Sequence, residues 1–153
     1  GAVGVGIDLA TGLTCGGVLH NDVIDYHPDT LNSIVNIQVP YWDTILEMAA
    51  RGYELSGLGY LGVDIVLDKM HGPLMLELNA RPGLNIQIAN REGLLARYEA
   101  IEAEAARGSM PVTERVAFSK RCAGGGLTRT LGSSGSSRSH EDFERADALH
   151  FEG

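Results

Sequence analysis

Cysteine is scarce in this chain, and it has no long apolar run and no dense basic cluster. Cys15 and Cys122 are far apart and have no metal-ligand spacing, which favours a reduced, cytoplasmic protein over a disulfide-linked one. No apolar run approaches the roughly 18 residues of a membrane helix, and no signal peptide is visible. The formal net charge is -8, without the basic cluster of a nucleic-acid-binding surface. We therefore expect a soluble globular chain that binds neither nucleic acid nor a membrane.

Two common functional patterns are also missing. The glycine-punctuated segment 57–62 lacks the Lys-Ser/Thr ending of a phosphate-binding loop. The five histidines form no pair at i, i+2 or i, i+4, so they predict no histidine metal site. His71 lies in a predicted turn, where we expect it to be exposed to solvent.

The apolar and glycine pattern predicts an α+β fold in which an antiparallel β-sheet packs against helices. Three segments predict a meander of strands: 2–8, 14–20 and 23–27. Residues 27–39 are typical of a polar, irregular connection. Helices are predicted over 40–56, about 90–107 and about 111–121. The first of them has an apolar face that predicts core packing, made up of Trp42, Ile45, Leu46, Ala49, Tyr53 and Leu55.

The composition changes after Cys122. Segment 123–153 is rich in Gly and Ser at first and then polar, and it offers too little apolar surface to offset its chain entropy. We therefore predict one domain over residues 1–122 followed by a disordered tail over 123–153. The chain starts with Gly1 directly before a β-like segment, which suggests a sequence cut out of something longer.

The segment 62–83, GVDIVLDKMHGPLMLELNARPG, predicts an antiparallel hairpin that carries two carboxylates on one face. With a four-residue loop from Lys69 to Gly72, Asp64 stands directly opposite Glu77. Because side chains alternate with period two, Asn79 shares the face of Glu77, while Leu76 and Leu78 face a core. A slip of one residue would separate the two carboxylates.

Two carboxylates opposed across a ladder repel each other and destabilise the pair. With an amide oxygen beside them, they form an oxygen-ligand cluster for a hard divalent cation such as Mg²⁺. The sequence therefore predicts a metal site at Asp64, Glu77 and Asn79. The alternative is a pair of solvent-exposed or salt-bridged carboxylates, which is how either residue alone would be interpreted.

The run Glu77-Leu78-Asn79-Ala80-Arg81-Pro82-Gly83, with Asp64 upstream, resembles the metal-binding signature of the ATP-grasp superfamily. The chain is most similar to the alpha-L-glutamate ligase-related branch, whose relatives modify ribosomal proteins. The likeness covers about residues 1–122 and is carried mostly by 57–90. It implies the C-terminal lobe of an ATP-grasp fold.

The resemblance implies a role for each matching residue. Glu77 would bridge two Mg²⁺ ions (Mn²⁺ could replace them), and Asp64 and Asn79 would each complete one coordination sphere. The ions would hold the phosphates of ATP, and the Arg81 guanidinium would stabilise the phosphate as charge develops. Met75, expected on the face of Glu77, would either pack under the nucleotide base or belong to the core.

The implied reaction joins a carboxylate to an amine through an acylphosphate, with ADP and phosphate released. The phosphate-holding lysines and the adenine-reading hinge of such enzymes come before the part present here, and Lys69 and Lys120 are in the wrong places. We therefore expect a fragment of a ligase that is inactive alone. The alternatives are a non-catalytic ATP-grasp remnant and a metal-binding module without phosphoryl transfer.

Overall fold

The structure, a computed structural model, describes residues 3–20, 22–83 and 94–123. It confirms an α+β chain with antiparallel sheets and helices. The strands are β1 (Gly4–Ile7), β2 (Leu13–Leu19), β3 (Asp22–Ile24), β4 (Val35–Gln38), β5 (Gly62–Asp68) and β6 (Gly72–Asn79). The helices are α1 (Trp42–Ser56), α2 (Leu94–Ala105) and α3 (Val112–Arg121). The predicted tail from residue 124 onward and the predicted helix start at Asn90 lie outside the described residues.

The first four strands form one antiparallel sheet around β2. Strand β1 pairs with one edge of β2, and β3 and β4 share its other edge. The meander of β1, β2 and β3 was predicted, but β4 was not, because 27–39 was interpreted as an irregular connection. Alternation from Val35 to Gln38 is the signal that could have found β4. Its hydrogen bonding is reinforced by Thr14, whose Oγ1 accepts from the Ile37 N–H at 2.9 Å.

Helix α1 is joined to this sheet by Trp42. The Trp42 indole Nε1 donates to the Leu9 carbonyl at 3.0 Å, and its ring lies so close to Gly12 that a Cβ there would be 2.5 Å from Cγ. The helix begins at Trp42 rather than at Pro40. It ends as predicted at Gly57, whose φ of 70° is easily adopted only by glycine.

The predicted apolar face of α1 is only partly buried. Leu46 is buried, but Tyr53 is 52% exposed and Leu55 is 70% exposed, so their assignment to the core is wrong. Within the described residues, Ile34 and Leu46 are the two large apolar side chains that count as buried. The buried core of the described residues is therefore small.

Helix α1 packs between the β5–β6 hairpin and α3. Gly52 of α1 lies against Leu61, Val63 and Leu78, so one face of the hairpin rests on the helix. On another side, ion pairs tie Arg115 and Lys120 of α3 to Glu54 and Asp43 of α1. The third predicted helix is confirmed within one residue of its expected start. The other face of the hairpin, which carries Asp64, Glu77 and Asn79, is exposed.

Helix α2 is confirmed as a helix, but its apolar side chains are not covered by the described residues. Leu95, Tyr98 and Ile101 are 68%, 48% and 53% exposed. Among the residues that the structure describes, no helix is long and apolar enough to cross a membrane.

Candidate metal centre

The open face of the β5–β6 hairpin carries the predicted metal ligands. Asp64 is paired directly with Glu77, and Asn79 is paired with Gly62. Since side chains alternate along each strand, Asp64, Glu77 and Asn79 share a face. All three residues are exposed, whereas Val63 and Leu78, of opposite phase, are half-buried against α1. The three predicted ligands are therefore brought together.

The pairing of Asp64 with Glu77 arises from two features that were not predicted. The turn contains three residues rather than four, because Asp68 pairs with Gly72 instead of Pro73. A regular ladder from that turn would place Asp64 opposite Leu76. A β-bulge between Asp64 and Ile65 adds one residue on β6 and restores the pairing with Glu77.

Because of the bulge, Met75 and Leu76 each lie on the opposite face of the hairpin from the one expected. Met75 pairs with Ile65, which is out of phase with Asp64, so Met75 does not share the face of Glu77. Met75 is half-buried, whereas Leu76 is 65% exposed and does not face the core. The face predictions for these two residues are wrong, and the reason given for a nucleotide contact by Met75 is lost.

Asp64 and Glu77 form no ion pair with a cationic side chain of the described residues. Neither carboxylate has an ion pair or a hydrogen bond to any residue that the structure describes. No group of three or more His, Cys, Asp and Glu side chains with metal-site geometry occurs among those residues either. The third oxygen donor at this face is instead an amide, Asn79. Two unpartnered carboxylates beside an amide oxygen fit the donor set that Mg²⁺ prefers.

Asn79 and the residues after it form a restrained turn. The Asn79 Oδ1 accepts a hydrogen bond from the Arg81 N–H at 2.9 Å, which leaves one lone pair of that oxygen available. Arg81 is exposed, and it follows the strand end at Asn79. The turn therefore places Arg81 at the same end of the hairpin as the three oxygen donors.

The opposite end of the hairpin is closed by Asp68. Its Oδ1 accepts hydrogen bonds from the backbone N–H groups of Met70 and His71 at 2.8 and 2.9 Å, and it contacts the His71 ring at 2.9 Å. These bonds, led by the one from Met70, hold the pKa of the Asp68 carboxyl below its ordinary value. The His71 side chain is 71% exposed, as predicted. Asp68 is thus a turn residue rather than a metal ligand.

Neither lysine lies beside the candidate metal centre. Lys69 is in the hairpin turn, at the end of β5 remote from Gly62, and Lys120 forms an ion pair with Asp43. Among the described residues, Arg81 is a basic residue at the ligand end of the hairpin.

The antiparallel α+β fold is consistent with a lobe of an ATP-grasp domain. Residues 1–103 match the sequence model of the family described as sugar-transfer associated ATP-grasp. The chain belongs to that family, and ATP-dependent ligase-type activity and binding of ATP and Mg²⁺ are general properties of ATP-grasp proteins. The match does not confirm the glutamate-ligase-related branch. Neither the curated proteins nor the solved structures gave a match.

Proposed function

We propose that this chain supplies the metal-ligand hairpin of an ATP- and Mg²⁺-dependent carboxylate–amine ligase. The observation that carries the proposal is the pairing of Asp64 with Glu77 on an exposed face, with no cationic partner among the described residues, in a chain of an ATP-grasp family. Such a pair costs stability unless a cation neutralises it. Bound Mg²⁺ would neutralise charge on the phosphates of ATP during transfer.

Each residue of the site has a distinct proposed role. Glu77, between the other two ligands on the face, would bind both ions, and Asp64 and Asn79 would each bind one. Arg81 would donate hydrogen bonds to the transferred phosphate through its planar guanidinium. Leu76, exposed beside Glu77, replaces Met75 as the proposed apolar contact of the nucleotide.

The proposed reaction has two steps. A substrate carboxylate oxygen attacks the γ-phosphorus, the bond to the β–γ bridging oxygen breaks, and ADP leaves. An amine nitrogen then attacks the acyl carbon of the acylphosphate, phosphate leaves, and the nitrogen loses a proton to give the amide. Glutamate is one candidate substrate. Because the family is described as sugar-transfer associated, amines on sugars are the other class that we would test.

Calorimetric titration of Mg²⁺ into the chain, with and without ATP, tests the assignment. The proposal predicts Mg²⁺ binding chiefly in the presence of ATP. Binding of the ion alone, unchanged by ATP, would indicate a metal module without phosphoryl chemistry. Absence of any binding would indicate a non-catalytic remnant. In the complete ligase, Glu77→Gln should abolish ADP formation, and an unimpaired rate would remove the ligase assignment from these residues.

We further propose that this chain alone binds nucleotide weakly and does not turn it over. The support is the position of its two lysines, since Lys69 is in the turn and Lys120 is paired with Asp43. Neither is placed to hold the α- and β-phosphates beside Asp64 and Glu77. Release of ADP by the isolated chain with Mg²⁺, ATP and glutamate would contradict this second claim.

A further inference from the structure

Gly62 lies at the start of β5, directly opposite the proposed metal ligand Asn79. A Cβ atom at Gly62 would be 2.9 Å from the Cβ of Pro82 and 3.5 Å from the Cβ of Asn79. Carbon atoms of separate side chains attract each other best at about 3.5–4.0 Å, so the closer contact is repulsive. The space that a side chain would need at Gly62 is therefore taken by Pro82.

Pro82 is held against β5 by packing rather than by strand pairing. The ladder ends at Asn79, and proline has no N–H with which to extend it. Pro82 is half-buried, while its neighbours Arg81 and Gly83 are exposed. The contact with Gly62 is thus the point at which the turn after β6 returns to the hairpin.

Arg81 lies between two restraints. Its backbone N–H donates to the Asn79 Oδ1 at 2.9 Å, and the residue that follows it packs on Gly62. The first restraint fixes where the turn leaves β6, and the second fixes where it meets β5. Together they determine the direction in which the Arg81 backbone presents its long side chain.

We propose that Gly62 is a positioning residue for Arg81, because its missing side chain lets Pro82 close the turn that presents the guanidinium to the transferred phosphate. The inference rests on the proposed function, which makes Arg81 a phosphate contact. Displacing the turn by even a fraction of an ångström would lengthen that contact, and catalytic sites are sensitive to displacements of about 1 Å.

Gly62→Ala is a clean steric probe of this role. Gly62 is not among the described glycines with positive φ, so alanine adds a methyl group without a backbone penalty. Gly83→Ala is the matched control, because it lies in the same turn, has no positive φ, and has no atom within 4 Å of its Cβ position. Pro82→Gly removes the atom that the new methyl group meets, and it is made both alone and together with Gly62→Ala.

The experiment measures the dissociation constants of ATP and ADP for the full chain with saturating Mn²⁺, using millimolar nucleotide. Arg81→Ala should reduce the preference for ATP over ADP by about tenfold, the size expected for one lost hydrogen bond to a charged group. Gly62→Ala should reduce that preference by a similar factor. Pro82→Gly should also reduce it, because the packing on Gly62 is lost, and the double variant should lose no more than Pro82→Gly alone, because the new methyl group then has no Cβ to meet. Gly83→Ala should leave the preference unchanged.

The outcomes separate this inference from the proposed function. If the unaltered chain shows no Mn²⁺-dependent nucleotide binding, the proposed function is wrong, and the inference is wrong too because it rests on that function. If binding occurs and Arg81→Ala lowers the ATP preference but Gly62→Ala does not, the inference alone is wrong. A loss in Gly62→Ala that adds in full to the loss in Pro82→Gly would mean that general damage to the fold, rather than the contact with Pro82, caused it.

Discussion

Asp64 lies directly opposite Glu77 across the β5–β6 ladder. The three-residue turn alone would place Asp64 opposite Leu76, and a β-bulge beside the pair shifts the register by one residue to Glu77. Like charges opposed on a sheet destabilise it, and neither carboxylate has a cationic partner in the described part of the chain. The fold thus retains a pair that is unfavourable in the absence of a bound cation. This relationship leads to the first prediction.

Without divalent metal, Glu77→Gln should stabilise the chain. Removing one of two opposed charges relieves a repulsion of about a few tenths of a kcal/mol. Urea denaturation in the presence of a chelator measures the free energy of unfolding. The control is Glu99→Gln, the same change of charge at an exposed position in the middle of α2, which should have little effect. A loss of stability in Glu77→Gln under chelation would contradict the repulsion between Asp64 and Glu77.

The charge of Asp68 should contribute to stability at neutral pH and lose that contribution in acid. Hydrogen bonds from Met70 and His71 hold the Asp68 pKa below its ordinary value of 3.8. The folded state therefore binds this proton less readily than the unfolded state. The contribution is complete above about pH 3.8 and falls as the pH drops through the lowered folded pKa.

Asp68→Asn tests this pH dependence, because asparagine keeps an oxygen acceptor but does not ionise. The native chain should be more stable than Asp68→Asn at pH 7, as measured by chemical denaturation. The difference should shrink as the pH is lowered below 3.8. A difference that stays constant between pH 7 and the acid limit would show that the charge of Asp68 plays no part.

Trp42→Phe should destabilise the junction between α1 and the first sheet. The substitution keeps a large aromatic ring but removes the Nε1–H that donates to the Leu9 carbonyl at 3.0 Å. Loss of one part-buried hydrogen bond should lower the free energy of unfolding by about 1 kcal/mol. Tyr60→Phe removes a polar group from an exposed aromatic residue and serves as the control. Equal stability of the two variants would contradict the role assigned to the indole.

Arg115 and Glu54 should be energetically coupled across the α1–α3 contact. The Arg115 guanidinium pairs with Glu54 and lies 5.6 Å from the centroid of the Tyr53 ring. A double-mutant cycle with Glu54→Gln and Arg115→Gln should give a coupling of about 0.2–1 kcal/mol that weakens in high salt. The comparison cycle uses Arg107 and Glu104, which are close in sequence and do not join two elements. A zero coupling for the first pair would show that the ion pair contributes no stability.

The shared face of Asp64, Glu77 and Asn79 could be predicted from sequence because strand alternation and the approximate turn position were enough to place it. The details of the hairpin could not. A four-residue loop and a three-residue loop both fit the sequence, and Gly72, with a φ of 74°, together with the hydrogen bonds to Asp68, selects the shorter one. The bulge then reverses the faces expected for Met75 and Leu76.

Elsewhere, the sequence-based predictions were wrong for two reasons: one element is short, and part of the apolar face of a helix is not covered. Strand β4 has four residues, so its alternation of apolar and polar residues is too short to give a strong sequence signal. Asn36 within it has a φ of 60°, which departs from regular strand geometry. Tyr53 and Leu55 fit the apolar period of α1 but lie on parts of the helix that the described residues do not cover. The contact of Pro82 with Gly62 could not be found from sequence, because it depends on how the turn after β6 folds back.

Metal-linked thermal stability tests the central claim, that Asp64, Glu77 and Asn79 bind a divalent cation, most directly. The melting temperature of the chain is measured with ATP over a range of Mg²⁺ concentrations, beside Glu77→Gln under the same conditions. A ligand that binds only the folded state stabilises it by about 2.7 kcal/mol at one hundred times its dissociation constant. We predict a melting temperature that rises with Mg²⁺ in the native chain and stays flat in Glu77→Gln. An equal rise in both proteins, or no rise in the native chain, would contradict the assignment.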